Sequence, residues 1–563
     1  MKTRVCIVGA GAAGMSCAYA LSKHTEKYEV TIFDKQTEAG GMATSISIDA
    51  ERYGASYIND GVQGCSPAFA NTIKMFKLLG YECTEVGMQI SFGTGPNFWS
   101  NVFPSPLVRS FESDIAKFGR ALKTIKRLEP IFAFIPIQRM LSLFRFSPSF
   151  GERMVYPLAA LFFGTGNQTP YVSSAILARV FLDPSMRLFE FDDRSLLASI
   201  PTMFAFPRLG DVYRAWQQGI EKTGATFKLG HEVKNVVQRK DSSKGGVVVE
   251  YAKGDAEELE SETFDELVMA TDADAALKIL GKSATWMERQ VLADILPRYD
   301  ITITHNDLDY MNKHYETKFK DSLAADPQPE HAKDDQDAIE LGRKEFKPLY
   351  YTKQYEDDKR KIEMSFGESR QYKRSLRVLP VHQEIKGWIV SFQNSTFRKG
   401  LMAETSMLDI PHDEKPMEQH VFQTIFLDRD SSEGMWTWNE IPKEKRIYEK
   451  WWKQQSHRWQ HYAKVVPWMM FINGKNHTHF AGAWSVLNMH ELAVTSGFAA
   501  AYRLGADFPF RGDDDCERLF KLYLALSHGT RAVSTLLYQN RAKLIIGHTE
   551  ERRSQRVLRI GVL

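Results

Sequence analysis

The residues with the plainest chemical meaning come first in the chain. Gly9-Ala10-Gly11-Ala12-Ala13-Gly14 sets three glycines at the spacing of a dinucleotide-binding turn. Gly9 allows the tight turn, Gly11 lets the main chain approach a pyrophosphate, and Gly14 lets a helix pack closely on a strand. Further on stands Asp34. Its carboxylate can accept from both hydroxyls of a ribose, and its charge disfavours a 2′-phosphate, so NADP is a poor fit.

The elements that must position these groups are legible around them. Val5-Cys6-Ile7-Val8 is an apolar, β-branched run that reads as a buried strand. Met15-Ser16-Cys17-Ala18-Tyr19-Ala20-Leu21 continues from the last glycine as an apolar helical face. Val30-Thr31-Ile32-Phe33 is a second strand that ends on Asp34. The start of the helix offers free N–H groups and a positive dipole end to phosphates.

Bulk properties narrow the class. A chain of 563 residues exceeds one typical domain. Lys and Arg (72) nearly balance Asp and Glu (70), which argues against a dedicated nucleic-acid binder. Cys6, Cys17, Cys65, Cys83 and Cys516 form no CxxC pair and no metal-ligand spacing. The expectation is therefore no metal site and a reducing compartment. The first strand begins too early for a signal peptide, and no run approaches the roughly 18–20 apolar residues of a membrane span. A soluble, cytoplasmic protein is expected.

Farther along, Phe69, Ile73, Phe76 and Leu79 mark a helix closed by Gly80. Residues 105–200 are apolar and aromatic, with helical periodicity broken at Pro130, Pro136 and Pro148. Ile131-Phe132-Ala133-Phe134-Ile135 and Leu141-Ser142-Leu143-Phe144-Arg145-Phe146 are its greasiest runs. They read as a buried helical subdomain, or else as a lid over a lipid-like substrate or a patch touching a membrane, where flanking Arg and Lys suit anionic headgroups. Residues 228–275 are β-rich. Residues 313–360 are charged and poorly periodic, the pattern of a partly mobile surface insertion. Trp388-Ile389-Val390-Ser391-Phe392 and Gln423-Thr424-Ile425-Phe426-Leu427 are strand candidates, and Trp436, Trp438, Trp451, Trp452, Trp459 and Trp468 crowd one block.

Two more segments complete a pattern. Gly40-Gly41-Met42 follows the ribose acid, and His479-Phe480-Ala481-Gly482-Ala483-Trp484 leads through Asn488-Met489-His490-Glu491-Leu492 into a helix at 493–501. With the N-terminal signature, these resemble the flavin amine oxidase and phytoene desaturase superfamily. Asn59-Asp60-Gly61-Val62-Gln63 and Val268-Met269-Ala270-Thr271-Asp272-Ala273-Asp274-Ala275 look most like a branch of FAD-binding oxidoreductases related to polyunsaturated fatty acid isomerases. The resemblance spans residues 1–310 and 385–505.

What the resemblance implies is an α/β fold, with a Rossmann-type FAD-binding domain beside a substrate domain of a second mixed β-sheet plus helices. The expected division is 1–100 FAD-binding, 101–205 helical and apolar, 206–285 β-rich FAD-domain part, 286–470 substrate domain with a charged insertion near 313–360, 471–510 FAD-domain return and 511–563 helical extension. FAD would be noncovalent, since no cysteine matches a covalent linkage. Gly9, Gly11 and Gly14 would flank its pyrophosphate and Asp34 its ribose, with Ala10, Ala13 and Lys35 also binding the cofactor. Gly40, Gly41 and Met42 would lie along the pyrophosphate–ribityl stretch, and Val233 would offer backbone to the adenine. Gly482 and the N–H groups near Glu491 and Leu492 would meet the ribityl chain and the flavin edge. Two positions depart from the family: Ala483 stands where an acid is common, and Met42 where an arginine often follows the doublet.

In such proteins FAD accepts a hydride at N5, while the protein orients the substrate and excludes water. His490 and Glu491 are the candidates for acid–base work beside the ring, or else they pack and balance the start of a helix. Tyr57 and Asn59 are further candidates to face the site. The expected activity is desaturation or double-bond isomerisation of a fatty acyl, terpenoid or polyketide-like substrate, a hydrophobic small molecule. An amine oxidase producing hydrogen peroxide is the alternative; it would use the tryptophans as an aromatic cage, but no lysine near N5 can be assigned. A noncatalytic flavoprotein is the third reading.

Overall fold

The chain opens as its first forty residues require. β1 (Thr3–Val8), α1 (Ala12–Ser22) and β2 (Tyr28–Asp34) form a βαβ start. Val5, Cys6, Ile7 and Val8 are all buried, because a parallel strand covered on both faces has no solvent side. This computed structural model describes all residues except 164–165, 199, 240–245, 255, 368–419, 456 and 533–563. The sheet is completed by β3 (Thr226–Leu229), β4 (Glu266–Met269) and β5 (Thr478–Phe480), in the order β3-β2-β1-β4-β5 with every pair parallel. Segments far apart in sequence thus close one sheet. An antiparallel ribbon of His231–Arg239, Val247–Lys253 and Glu260–Phe264 is inserted between β3 and β4.

α2 (His490–Leu504) follows β5 and crosses α1. The crossing is so close that a Cβ on Gly497 would lie 2.0 Å from the Ala13 carbonyl oxygen. Gly14 is under the same constraint, with a Cβ there 1.8 Å from the Gly9 oxygen. The packing duty read for Gly14 is therefore physical: no side chain fits.

The second sheet has seven strands, in the order Arg446–Gln455, Pro297–His305, Phe422–Phe426, Ile362–Gly367, Tyr350–Gln354, Ile90–Phe92, Trp99–Ser100. It is mixed, since Tyr350–Gln354 runs parallel to Ile90–Phe92 and the other pairs are antiparallel. Strand alternation sends Met364, Phe366 and Ile425 to one face and Glu363, Ser365 and Thr424 to the other. Behind the sheet, buried Glu363 accepts hydrogen bonds from Tyr310 (2.5 Å), Tyr315 (2.7 Å), Tyr355 (3.0 Å) and Thr437 (2.8 Å), and it pairs with Lys353 (3.1 Å). Burial alone would raise this carboxyl, but Lys353 and the hydroxyls bring it below the usual range.

The helical segment breaks where its prolines fall. Pro130 and Pro148 sit in the first turns of Glu129–Phe132 and Pro148–Phe150, and Pro136 directly precedes Ile137–Leu143. The stretch 313–360, expected as a surface insertion, contains regular elements and one interior strand. Ala332–Glu345 is a helix whose buried Asp335 receives Arg109 (2.5 Å) and Arg194 (3.1 Å), and Tyr350–Gln354 is an interior strand with Tyr351 fully buried. A five-residue strand inside a charged stretch is too short to display its period. The candidate strand at 388–392 lies outside the described residues. Of the 511–563 extension, Asp514–His528 is a helix and 533–563 lie outside them. Among the described residues, no helix is long and apolar enough to cross a membrane.

Candidate active site

Both sheets line a cavity of about 650 Å³. Gly9, Gly11, Ala13, Asp34, Lys35, Gly40, Gly41, Met42, Val233, Gly482 and His490 are in its walls; Ala10, Gly14, Glu491 and Leu492 are not. Ala10 acts from behind, donating its N–H to Asp34 Oδ2 at 2.7 Å, while the Gln36 N–H reaches Oδ1 at 2.8 Å. The carboxylate thus ties the glycine turn to the end of β2 and keeps lone pairs for a ribose. Burial raises the Asp34 carboxyl, opposed by these two N–H groups and by Lys35. At the far end, Ser496 accepts from the Gly482 N–H at 2.9 Å, and Trp484 Nε1 donates to the Thr271 carbonyl at 2.9 Å. The first bond braces the returning segment on itself, and the second ties it to the chain leaving β4.

This half of the cavity fits FAD. The cap residue of α1 is Gly11, which has no side chain to satisfy the N–H groups of the first turn, and Ala12 and Ala13 face the cavity. Nothing but backbone stands there, so a pyrophosphate can approach it. The start of α2 is also uncapped by a side chain, and Asn488, Met489 and His490 present it to the cavity. Leu492 contributes differently from expectation: its side chain is in the core, and its N–H is taken by the Met489 carbonyl at 3.1 Å.

The two candidate acid–base residues have other duties. Glu491 points away from the cavity, where it accepts the Asn71 N–H (2.9 Å), the Asn71 side-chain amide (2.8 Å) and the Thr72 N–H (2.8 Å). It caps the helix Ala70–Leu78, whose own cap residue, Phe69, has no acceptor. His490 does line the cavity, but Thr72 Oγ1 occupies its Nδ1 (3.0 Å) and Tyr213 its Nε2 (2.8 Å). Phe76 and Phe206 pack on the ring, and burial pulls His490 down to about 4. It is a neutral, locked imidazole at pH 7 rather than a group that titrates near neutrality. Asn59 is also structural, donating to the carbonyls of Phe206 (3.3 Å) and Pro207 (3.0 Å), and neither it nor Tyr57 lines the cavity.

The other half of the cavity is not visible in the sequence. Phe69, Met88, Leu161, Leu188 and Met203 meet Met364, Phe366 and Ile425 from the seven-stranded sheet. Gln63 bridges the two domains through a 2.6 Å hydrogen bond to Gln423. None of the six tryptophans between 436 and 468 lines the cavity. Trp436 packs behind the sheet, whereas Trp451 and Trp468 are nearly half exposed. Lys35 and Lys453 are the lysines in its walls, and Lys453 is held by Asp274 (2.5 Å) and Asp272 (3.4 Å).

Solved structures share this architecture. The CLA-producing fatty acid isomerase from P. acnes aligns over 90% of this chain and 99% of its own, with a TM-score of 0.54 and 13% identity. Cyclohexylamine oxidase from Brevibacterium oxydans IH-35A aligns over 90% and 100%, with a TM-score of 0.53 and 14% identity. A putrescine oxidase aligns over 90% and 99%, at 0.52 and 12%. The chain shares the fold of these proteins. Residues 7–73 also match the NAD(P)-binding Rossmann-like domain family. The sequence matches no curated protein. The Rossmann sheet and its return segment line one half of the cavity, and the mixed sheet lines the other.

Proposed function

We propose that this protein is an FAD-dependent oxidoreductase that acts on a hydrophobic small molecule, as a desaturase or double-bond isomerase of a fatty acyl, terpenoid or polyketide-like substrate. The observation that carries this reading is the apolar half of the cavity, where Met364, Phe366 and Ile425 face Leu161, Leu188 and Met203. FAD, bound noncovalently along the glycine half, would supply hydride acceptance at N5. The apolar walls would orient a hydrocarbon chain and exclude water from the reacting carbon. His490, neutral and held between Thr72 and Tyr213, would fix the start of α2 rather than remove a proton. The fold shared with a fatty acid isomerase is in keeping with such a substrate.

The test is anaerobic incubation of the purified yellow protein with candidate lipids and, separately, with primary and secondary amines. Flavin bleaching or a rearranged product with a lipid supports the reading. Bleaching by amines alone, with peroxide formed on admitting oxygen, would replace it with amine oxidation. Bound flavin that no substrate class reduces would point to a noncatalytic flavoprotein.

A further inference from the structure

The helical segment divides its apolar side chains between two environments. Phe132, Ile137, Met140 and Leu141 are buried in the core, but Leu128, Ile131, Phe134 and Leu143 stand 42–58% exposed. These four are not on a fraying end. The Leu128, Ile131 and Phe134 N–H groups bond to Thr124, Leu128 and Ile131 at 2.9–3.2 Å. The turn is anchored by Ile137 N–H to Val172 (2.9 Å) and Ser174 N–H to Ile135 (2.9 Å). A fold that holds four large apolar side chains in water within one short helical stretch has an apolar phase to offer them to.

The charge around them says which phase. Residues 115–147 contain seven Lys or Arg and a single acid, Glu129, in a chain whose net charge is only +2. Glu129 is taken by Arg179 and Lys126. Arg120, Lys123, Arg127, Arg139 and Arg145 are exposed, and none has a side-chain ion pair among the described residues. Exposed apolar side chains and unpaired cations on the same stretch of chain match the boundary of a bilayer with anionic headgroups.

We infer that residues 120–145 are a docking surface for an anionic lipid membrane, on which the protein lies without spanning it. The same helical region supplies Leu161 and Leu188 to the cavity wall, so docking would bring a lipid source to the substrate side of the molecule. The inference concerns binding alone and stands apart from the proposed chemistry.

The test is co-sedimentation of the full chain with vesicles of phosphatidylcholine, with or without phosphatidylglycerol. Wild-type protein should bind the anionic vesicles and release as salt rises. R127E/R139E and I131E/F134E should each bind at least about tenfold more weakly, with unchanged flavin content and thermal midpoint. The inference is overturned if wild-type protein binds neither vesicle, or if R127E/R139E binds like wild type. It is also overturned if the wild type is a dimer that I131E/F134E converts to a monomer, since the patch would then be covered by a second copy. No turnover is measured, so a negative result here leaves the proposed activity untouched, and inactivity toward lipids leaves this inference untouched.

Discussion

The two halves of the cavity are made of different material. The cofactor half is built around close-packed backbone, with Gly9, Gly11, Gly40, Gly41 and the first turn of α1 pressed together; the apolar half is side chains brought from at least eight positions between 69 and 425. Backbone packed on backbone leaves no room for an added atom, whereas facing side chains can exchange volume with one another. The cofactor half should therefore be brittle and the substrate half forgiving.

The strongest challenge to that contrast is Gly14→Val. Its Cβ would overlap the Gly9 carbonyl, so we expect a loss of about 3 kcal/mol or more and no bound flavin, read as flavin-to-protein absorbance. A G14V protein that purifies yellow would break the comparison. Next, Asp34→Ala removes the acceptor for a ribose and the tie to Ala10. FAD affinity should fall about 30- to 100-fold, as judged by flavin fluorescence titration, in line with the roughly 1.5–3 kcal/mol of charged hydrogen bonds.

The seam between the halves holds His490, and its buried state sets a pH limit. The native histidine sits at about 4, while an unfolded one takes its proton near 6.5. Between these values the unfolded chain holds the extra proton, so the stability is present above about 6.5 and is lost as pH falls toward 4. His490 alone should cost about 2 kcal/mol by pH 5. His479, at about 4, and His305 and His461, at about 3, act in the same direction. A thermal midpoint flat down to pH 5 would show that these rings are hydrated.

Smaller effects separate structure from catalysis. Glu491→Gln turns an amide NH2 toward donors, and the midpoint should fall by the equivalent of about 1–2 kcal/mol. The rate of flavin reduction should stay the same; a large drop in rate would return Glu491 to the reaction. Met364→Leu should matter least, with flavin content unchanged and less than about 1.5 kcal/mol lost. Apolar-ligand affinity is what this variant should alter, and loss of flavin instead would mean that the two halves are not independent.

Much of the cofactor half is legible in the sequence. Gly9, Gly11, Gly14 and Asp34 lie within one βαβ unit, so their contacts are close in sequence and their residue types follow from local geometry. The roles of His490 and Glu491 are not legible there. Glu491 meets Asn71 and Thr72, over 400 residues away, and only that contact makes it a helix cap rather than a catalytic acid. Trp484, in the segment that returns to the Rossmann sheet, is the tryptophan in the cavity wall, while the more numerous tryptophans upstream go to the core and surface.

By itself, then, the sequence determined a glycine turn of the dinucleotide-binding kind, an acid at the end of its second strand and helix breaks at Pro130, Pro136 and Pro148. Those properties depend on neighbouring residues and on the φ/ψ freedom or restriction each residue carries. The tertiary structure decided what faces the glycine half of the cavity, which histidine nitrogens are occupied and which apolar side chains of the helical segment remain in water. Each of these depends on contacts between elements far apart in the chain, and hydrophobicity alone says that a side chain will be buried without saying against what.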